Sequence, residues 1–388
     1  MRDIVEGIEG SFPGFLTAAG GRLYFAADDG ESGRELWASD GTPGTRRLRD
    51  INPGAADGFS VFTDFERLGD AVFFAADDGT HGVELWRSDG TVDGTALWKD
   101  IAVGDASGTP HQLTAVGDVL YFAADEGAFG DELWRTEASG RTLPNRDINP
   151  QGPSDPRLLT PFGAQLAFTA DDGTHGVELW MSDGTARGTR LVRDINPTGS
   201  AFLPPRIFFM VSAGATLFFT ADDGEHGTEL WRSDGTPAGT SRVADIDPGA
   251  AGSFPAFLTA AGDRLLFQAC EAAGGCEPWQ VRDGVASRLV DLAPGVASSN
   301  PAGFTSVGGR VLFTADDGAT GVELWADGAC AGDCDGDGAV RIDELVRGVR
   351  IALGESGADA CAVADRNADG AVSIDELVAA VTAALAGC

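Results

Sequence analysis

Two stretches of the chain place oxygen-bearing side chains at the spacing of a calcium loop. Asp333, Asp335 and Asp337 hold positions 1, 3 and 5 of a twelve-residue segment, Ala339 offers a backbone carbonyl at position 7, and Glu344 closes it at position 12. Asp365, Asn367, Asp369, Ala371 and Glu376 repeat the pattern 32 residues later, with Ser373 at position 9. A hard cation such as Ca2+ takes about six to eight oxygen ligands, and this alternation gathers them around one point. Gly338 and Gly370 permit the sharp bend at position 6. Position 9 of the first segment is Arg341, which predicts the weaker of two sites.

A second set of carboxylates recurs along the rest of the chain, at Asp28-Asp29-Gly30, Asp77-Asp78-Gly79, Asp171-Asp172-Gly173, Asp222-Asp223-Gly224 and Asp316-Asp317-Gly318. Asp125-Glu126-Gly127 is a near match. A ring of such carboxylates could offer a cation surface. Asp-Gly also makes hairpin turns by itself, and turn chemistry alone accounts for the pattern. His81, His175 and His226 each follow a turn glycine by two residues. Repetition of this kind reads as turn structure rather than catalysis. His111, beside Pro110, has no visible partner, and Tyr24 and Tyr121 fall in strands that predict burial. No constellation of a tyrosine with an arginine cluster, as sialidases use, is evident. The sixth copy of the turn differs: Cys270 replaces the first Asp and Cys276 stands opposite, which predicts a disulfide across the mouth of a hairpin.

These residues must be positioned by a repeated unit. Glu-Leu-Trp recurs at 35–37, 84–86, 132–134, 178–180, 229–231 and 323–325, with Glu277-Pro278-Trp279 filling the one gap. Successive Trp positions are 49, 48, 46, 51, 48 and 46 residues apart, so seven units of nearly constant length account for seven of the eight tryptophans. Each unit reads as four short strands, carried in the first copy by residues 16–18, 22–27, 35–39 and 46–51, with Gly, Pro and Asx punctuation between them. The second strand is apolar on both faces and must be covered on both. Blades of a propeller provide that cover, whereas a straight β-solenoid, the competing fold, uses shorter repeats. Asp3-Ile4 aligns with Asp245-Ile246, and Ser11-Phe12-Pro13 with Ser253-Phe254-Pro255. The first residues are therefore expected to supply the fourth strand that the seventh unit lacks, closing the ring.

The phrase Glu-Leu-Trp-x-Ser-Asp-Gly-Thr, at 35–42, 84–91, 178–185 and 229–236, resembles the ELWxxDGT-repeat proteins, which include hyalin-like bacterial surface proteins. The resemblance spans residues 1–328 and implies an extracellular propeller without an assigned reaction. Residues 329–388 resemble a dockerin, with two EF-hand-type loops each followed by a helix. Glu344 and Glu376 stand where dockerins usually carry Asp, and Ile342-Asp343 and Ile374-Asp375 stand where their recognition pair is often hydroxyl-bearing. Helical spacing of Ile342, Leu345, Val346 and Val349, and of Ile374, Leu377, Val378, Val381 and Leu385, predicts two stripes packed into a mini-core. Cys388 is expected to meet Cys330 or Cys334, and Cys361 to take the other.

The fold expected is mainly β, a seven-bladed propeller of four-stranded blades followed by a small α-helical calcium-binding domain. Net charge is −33, from 60 Asp plus Glu against 27 Lys plus Arg, which disfavours nucleic acid and anionic membranes as partners. Residues 330–388 carry a net −7, leaving −26 on the repeats. No apolar run is long enough to span a membrane. Clustered cysteines point to an oxidising compartment and a secreted or cell-surface location, with a leader expected to be removed or omitted ahead of Met1. The function expected is a non-enzymatic binding or structural protein, monomeric, whose partner is an extracellular protein or polysaccharide. The alternative is a secreted propeller hydrolase acting on glycans, and calcium serving stability alone is a third reading.

Overall fold

The computed structural model describes residues 3–388 except 6–9, 60–63, 203–208, 263, 308–309, 327–333, 335–341, 358–360, 362–370, 375, 379 and 382–388. The described residues are mainly β. They form seven antiparallel sheets in chain order, six of four strands and the seventh of three, each running as a simple meander. This is the pattern of a seven-bladed β-propeller.

The chain divides into two compact units, residues 1–227 with 231–242, and 228–230 with 243–388. In the first unit, the first sheet comprises Gly14–Ala19, Arg22–Asp28, Arg34–Ser39 and Arg46–Arg49, and the second Phe65–Leu68, Ala71–Asp77, Val83–Ser88 and Ala96–Lys99. The third comprises His111–Val116, Val119–Asp125, Asp131–Glu137 and Thr142–Arg146, and the fourth Arg157–Phe162, Gln165–Asp171, Val177–Ser182 and Arg190–Arg193. Consecutive sheets pack through their first strands. Buried aromatic and aliphatic side chains fill the space between neighbours: Leu36, Leu48 and Ile51 of the first sheet and its exit meet Phe59, Phe74 and Trp86 around the second. Six successive residues, Ala71 to Ala76, are buried, because both faces of that strand are covered. Ile4 packs on Phe25, Ala27 and Trp37 of the first sheet, the equivalent of the place Ile51 takes against the second.

In the second unit, the sixth sheet (Ala256–Ala261, Arg264–Glu271, Gly275–Arg282, Val285–Arg288) packs through its first strand on that of the seventh (Ala302–Val307, Arg310–Asp316, Val322–Ala326). Cys270 and Cys276 face each other across the hairpin and form the expected disulfide. In the seventh sheet Leu324 is 68% exposed, whereas its counterparts Leu36, Leu85, Leu133, Leu179 and Leu230 are fully buried.

The helix α1, Ile342–Ala352, follows the first calcium-type segment. Cys334 bonds Cys361, one of the pairings left open by the spacing, while Cys330 and Cys388 lie outside the described residues. The expected mini-core is corrected in its face. Ile342, Val346, Val349, Ile374, Val378 and Val381 are exposed, and the small core is Ile351, Cys361 and Val372 with Cys334 and Leu377 around it. The physical reason is that α1 turns Glu344, Gly348 and Ile351 inward, at helical spacing of four and three. Glu344 thereby reaches the backbone N–H of Cys334 at 2.6 Å, next to the disulfide.

Candidate functional site

The Glu of each Glu-Leu-Trp lies on a strand with apolar neighbours, yet Glu35, Glu84, Glu178, Glu229 and Glu277 are fully buried and Glu132 is nearly so. A buried carboxylate needs donors. Glu178 accepts the backbone N–H groups of Ile195, Asn196 and Ala201 at 2.9, 3.2 and 3.2 Å. Glu35 does the same with Ile51, Asn52 and Gly58, and Glu84 with Ile101, Ala102 and Gly108. Glu132, Glu229 and Glu277 add a serine hydroxyl, from Ser154, Ser253 and Ser299. Each carboxylate thus clasps the segment that leaves its own sheet. The carbonyl of the last clasped residue in turn accepts the N–H that opens the next sheet's acidic turn, as Gly58 does from Asp77 at 3.0 Å and Ala201 from Asp222 at 3.0 Å. Burial pushes Glu35, Glu132 and Glu178 up to about 7 against the opposing pull of these N–H groups, and shifts Glu84 and Glu229 in the same direction. This clasp was not anticipated. The signal was present in the sixth copy, where Leu becomes Pro and Asp becomes Cys but the Glu stays.

The acidic turns spend their carboxylates on their own backbone. Asp77 Oδ1 accepts the N–H of Gly79 at 2.8 Å, and Asp78 Oδ1 those of Thr80 and His81, both at 2.9 Å. Nδ1 of His81, His175 and His226 lies 2.8, 2.8 and 2.9 Å from the second oxygen of Asp78, Asp172 and Asp223. Burial works against charge on these aspartates, but the hydrogen bonds outweigh it and hold all three below the usual carboxylate range. The partner aspartate raises His81 and His175. The turn reading of these residues accords with this geometry. Among the described residues no three His, Cys, Asp or Glu side chains converge as a metal group would require.

The polar side chains that break the repeat converge elsewhere. The first strands of the first four sheets and of the fifth (Met210–Ala213, Thr216–Asp222, Thr228–Ser233, Ser241–Arg242) line a cavity of about 590 Å³, into which Asp64, Glu66 and Gln112 bring charge and an amide. At the position of Glu66 the neighbouring sheets carry threonines, Thr17, Thr114 and Thr160. Each threonine donates its hydroxyl to the carbonyl of the residue two before it, at Phe15, Gln112 and Leu158. Those three residues have φ of 59°, 54° and 54° and sit in a bulge that shifts the strand register. A bulge re-aims a side chain, and here it sets Gln112 on the cavity wall. Asp64 accepts the N–H of Gln112 at 3.1 Å and Glu66 that of Ala115 at 3.3 Å, so two carboxylates staple the second sheet to the third. Burial, with Asp64 nearby, raises Glu66 above the ordinary range.

His111, expected to stand alone, is corrected by its neighbours. The chain's twist from sheet to sheet sets the first residue of one inner strand beside that of the next. Nδ1 of His111 meets the Thr109 carbonyl at 2.9 Å, which leaves Nε2 as the acceptor for the Arg157 guanidinium. Asp131 Oδ2 lies 3.6 Å from both His111 Nε2 and Arg157 Nη2. Burial lifts Asp131 above its usual range, with His111 and Arg157 opposing. The first, second, fourth and fifth sheets hold Arg34, Val83, Val177 and Thr228 where Asp131 stands, so this cluster is particular to the third and fourth sheets.

Of the calcium-type residues, Asp333, Asp335, Asp337, Ala339, Asp365, Asn367 and Asp369 lie outside the described residues. Glu344 and Glu376 are buried, at 1% and 7% exposure. Glu376 accepts the N–H and hydroxyl of Ser373, both at 2.8 Å, in a capping box that starts the second helical stretch. Ala371 is exposed beside it. No described helix is long and apolar enough to cross a membrane. The two disulfides are compatible with an extracellular protein.

No family model matches the sequence, and no curated protein does. Among solved structures the chain is similar to a prolyl endopeptidase at 15% identity and TM-score 0.44, covering 81% of this chain and 49% of that one. It is similar to a puromycin-hydrolysing peptidase of Mycobacterium tuberculosis at 12% identity and TM-score 0.42, over 81% and 50% of the two chains. The β-propeller domain of the trilobed protease from Pyrococcus furiosus matches at 9% identity and TM-score 0.40, over 83% and 96%. The chain spans about half the length of the first two structures. The expectation of a non-enzymatic binding or structural protein is corrected by these neighbours, which are peptidases and part of a protease.

Proposed function

We propose that residues 1–328 form the substrate-admitting propeller of an extracellular peptide-processing assembly, whose inner-strand cavity takes the free amino end of a peptide. The observation that carries this reading is the convergence on one cavity of Asp64, Glu66 and Gln112, where sister sheets place threonines or apolar residues. The wall joins carboxylates, an amide and hydroxyls to apolar patches at Phe15, Leu158 and Met210. That is the complement of an ammonium followed by peptide units with small apolar side chains. Closure of the seventh sheet by residues 3–5 is carried forward within the same proposal.

The test is equilibrium binding of a tetra-alanine peptide labelled at its C-terminus. An ammonium paired to a partly buried carboxylate is worth roughly 1.5–3 kcal/mol, or about ten- to a hundredfold in affinity. N-acetylation of the peptide, or the double change Asp64→Asn with Glu66→Gln, is expected to weaken binding by about that factor. Affinity that ignores both changes overturns the reading.

We further propose that residues 329–388 hold calcium in two dockerin-like loops. The inward placement of Glu344 and Glu376 supports it, since a bidentate position-12 carboxylate must fold back over its own loop. When bound, the ion would cross-link loop oxygens that otherwise repel, so calcium here supplies folding energy. Chelation is expected to abolish a small unfolding transition and leave the main one unmoved. Glu344→Gln and Glu376→Gln are each expected to weaken calcium binding, read by titration calorimetry, by about tenfold or more. Loss of the main transition on chelation would place the ions in the sheets instead.

A further inference from the structure

The first unit carries a second cavity, on the opposite edge of its sheets from the acidic turns. It encloses about 390 Å³ between the hairpin turn at Gly20 and Gly69 and the turn at Asp89. Its chemistry is unlike that of the inner-strand cavity. Two guanidiniums, Arg22 and Arg87, share it with the carboxylates of Asp70 and Asp89, over a floor that includes Leu68 and Phe73. Both floor residues are buried, at 4% and 1% exposure.

Three of the charged groups are held in place, and Asp70 is exposed at its hairpin turn. The Arg87 guanidinium stacks 5.5 Å from the ring of Trp98, the one tryptophan outside the repeat. Trp98 is itself fixed by Nε1–H bonds to the hydroxyls of Thr136 and Thr142, at 2.8 and 3.1 Å. Asp89 accepts the N–H and hydroxyl of Thr91 at 3.0 and 2.7 Å, and its other oxygen lies 4.0 Å from Arg87. Arg22 lies against the turn at Gly90, where a Cβ would stand 2.9 Å from its Nη1 and 2.7 Å from the Tyr24 hydroxyl. Gly90, at φ 84°, is thus required both by its backbone and by the arginine. The register of Arg22 holds Ala71, Val119, Gln165 and Thr216 in four other copies and Arg264 and Arg310 in the sixth and seventh, so the repeat admits other residues there.

Two forks for a carboxylate, a carboxylate for an ammonium, and an apolar floor between them fit one class of molecule. We infer that this cleft binds an apolar zwitterion, a free α-amino acid or dipeptide, with Arg22 and Arg87 on its carboxylate, Asp70 on its ammonium and the side chain on Leu68 and Phe73. A volume of about 390 Å³ suits a dipeptide of this kind. Arginine presents a planar pair of donors that matches a carboxylate, which a single lysine does not. The site stands apart from the inner-strand cavity and does not depend on the function proposed for it.

The experiment is calorimetric titration of the full chain with L-leucyl-L-leucine, its C-terminal amide and its N-acetyl derivative. Saturable binding of the dipeptide is expected, with each blocked derivative at least tenfold weaker. Arg22→Gln and Arg87→Gln should each lower affinity by tenfold or more, and Asp70→Asn should abolish the preference for the free amine. The blocked derivatives test the unaltered protein, so the outcome does not hang on the folding of a variant. Absence of saturable binding, or equal binding of all three molecules, overturns the inference. A change produced only by Asp64→Asn and Glu66→Gln assigns the dipeptide to the other cavity and also overturns it.

Discussion

Glu178→Ala is expected to lower the unfolding free energy by about 3–5 kcal/mol, a loss seen for few single substitutions. The argument is one of orphaned donors. Removal of the carboxylate leaves the N–H groups of Ile195 and Asn196 without their acceptor, in a place where Glu178 itself is fully buried, while Ala201 N–H keeps the Val177 carbonyl at 3.0 Å. Each unsatisfied buried donor costs roughly 1–3 kcal/mol, less where a water enters the vacated space. Glu178→Gln keeps one oxygen and is expected to cost less, about 1–2 kcal/mol. Denaturant titration followed by tryptophan fluorescence measures both, because Trp180 lies two residues away on the same strand. Glu31→Ala, on an exposed turn, is the control and should stay within about 0.5 kcal/mol. Equal midpoints for the Glu178→Ala and Glu31→Ala proteins would show that the clasp contributes nothing.

Lowering the pH from 8 to 5 is expected to raise the thermal midpoint, by roughly 5–10 °C. The direction follows from proton binding. Glu35, Glu132 and Glu178 sit at about 7 in the folded protein, above the ordinary 4.5 of an unfolded glutamate. The folded state therefore binds the extra protons between those limits. The resulting stability is fully present below about pH 4.5 and is lost as pH rises through 7. Glu84 and Glu229 shift the same way, as do His81 and His175, whose raised values add stability lost on the alkaline side. The aspartates of the turns oppose this at lower pH. Asp29, Asp78, Asp172, Asp223 and Asp317 lie below their unfolded value, so their contribution is present above it and lost as pH falls through their folded values. Stability should thus peak at about pH 4–5.5, between the two windows. A net charge of −33 at neutral pH adds repulsion that acid relieves. Midpoints that fall steadily from pH 8 to 5 would overturn the assignment of the buried glutamates.

The repeat, the four-strand unit, the turns and the Cys270–Cys276 bridge were legible because each rests on local chemistry. A hairpin needs its Asp-Gly where the chain reverses, and two cysteines opposed across it can only meet. The role of Glu35 and its sisters was not legible in the same way. It depends on donors 16 to 23 residues downstream, arriving from a segment that looks like simple punctuation. His111 was obscured for a similar reason. Its partners Asp131 and Arg157 are 20 and 46 residues distant; the folding of the third sheet brings Asp131 near, and the packing of the fourth sheet against it brings Arg157. The inward face of α1 was misread because the stripe of Ile342, Leu345, Val346 and Val349 was taken as the packed one, whereas Glu344, Gly348 and Ile351 turn inward. The Glu344 carboxylate is drawn inward to Cys334.

The forward reach of the clasp bears on how the protein is made. A nascent sheet emerging from the ribosome holds an unsatisfied carboxylate in its centre until roughly two dozen more residues have followed, since the last donor to Glu84 is Gly108, 24 positions on. Each sheet is finished by the first stretch of its successor, so assembly is expected to proceed in the direction of synthesis. A chain cut short after a third strand would display a naked glutamate where its longer siblings display none, a mark that quality-control proteases could read.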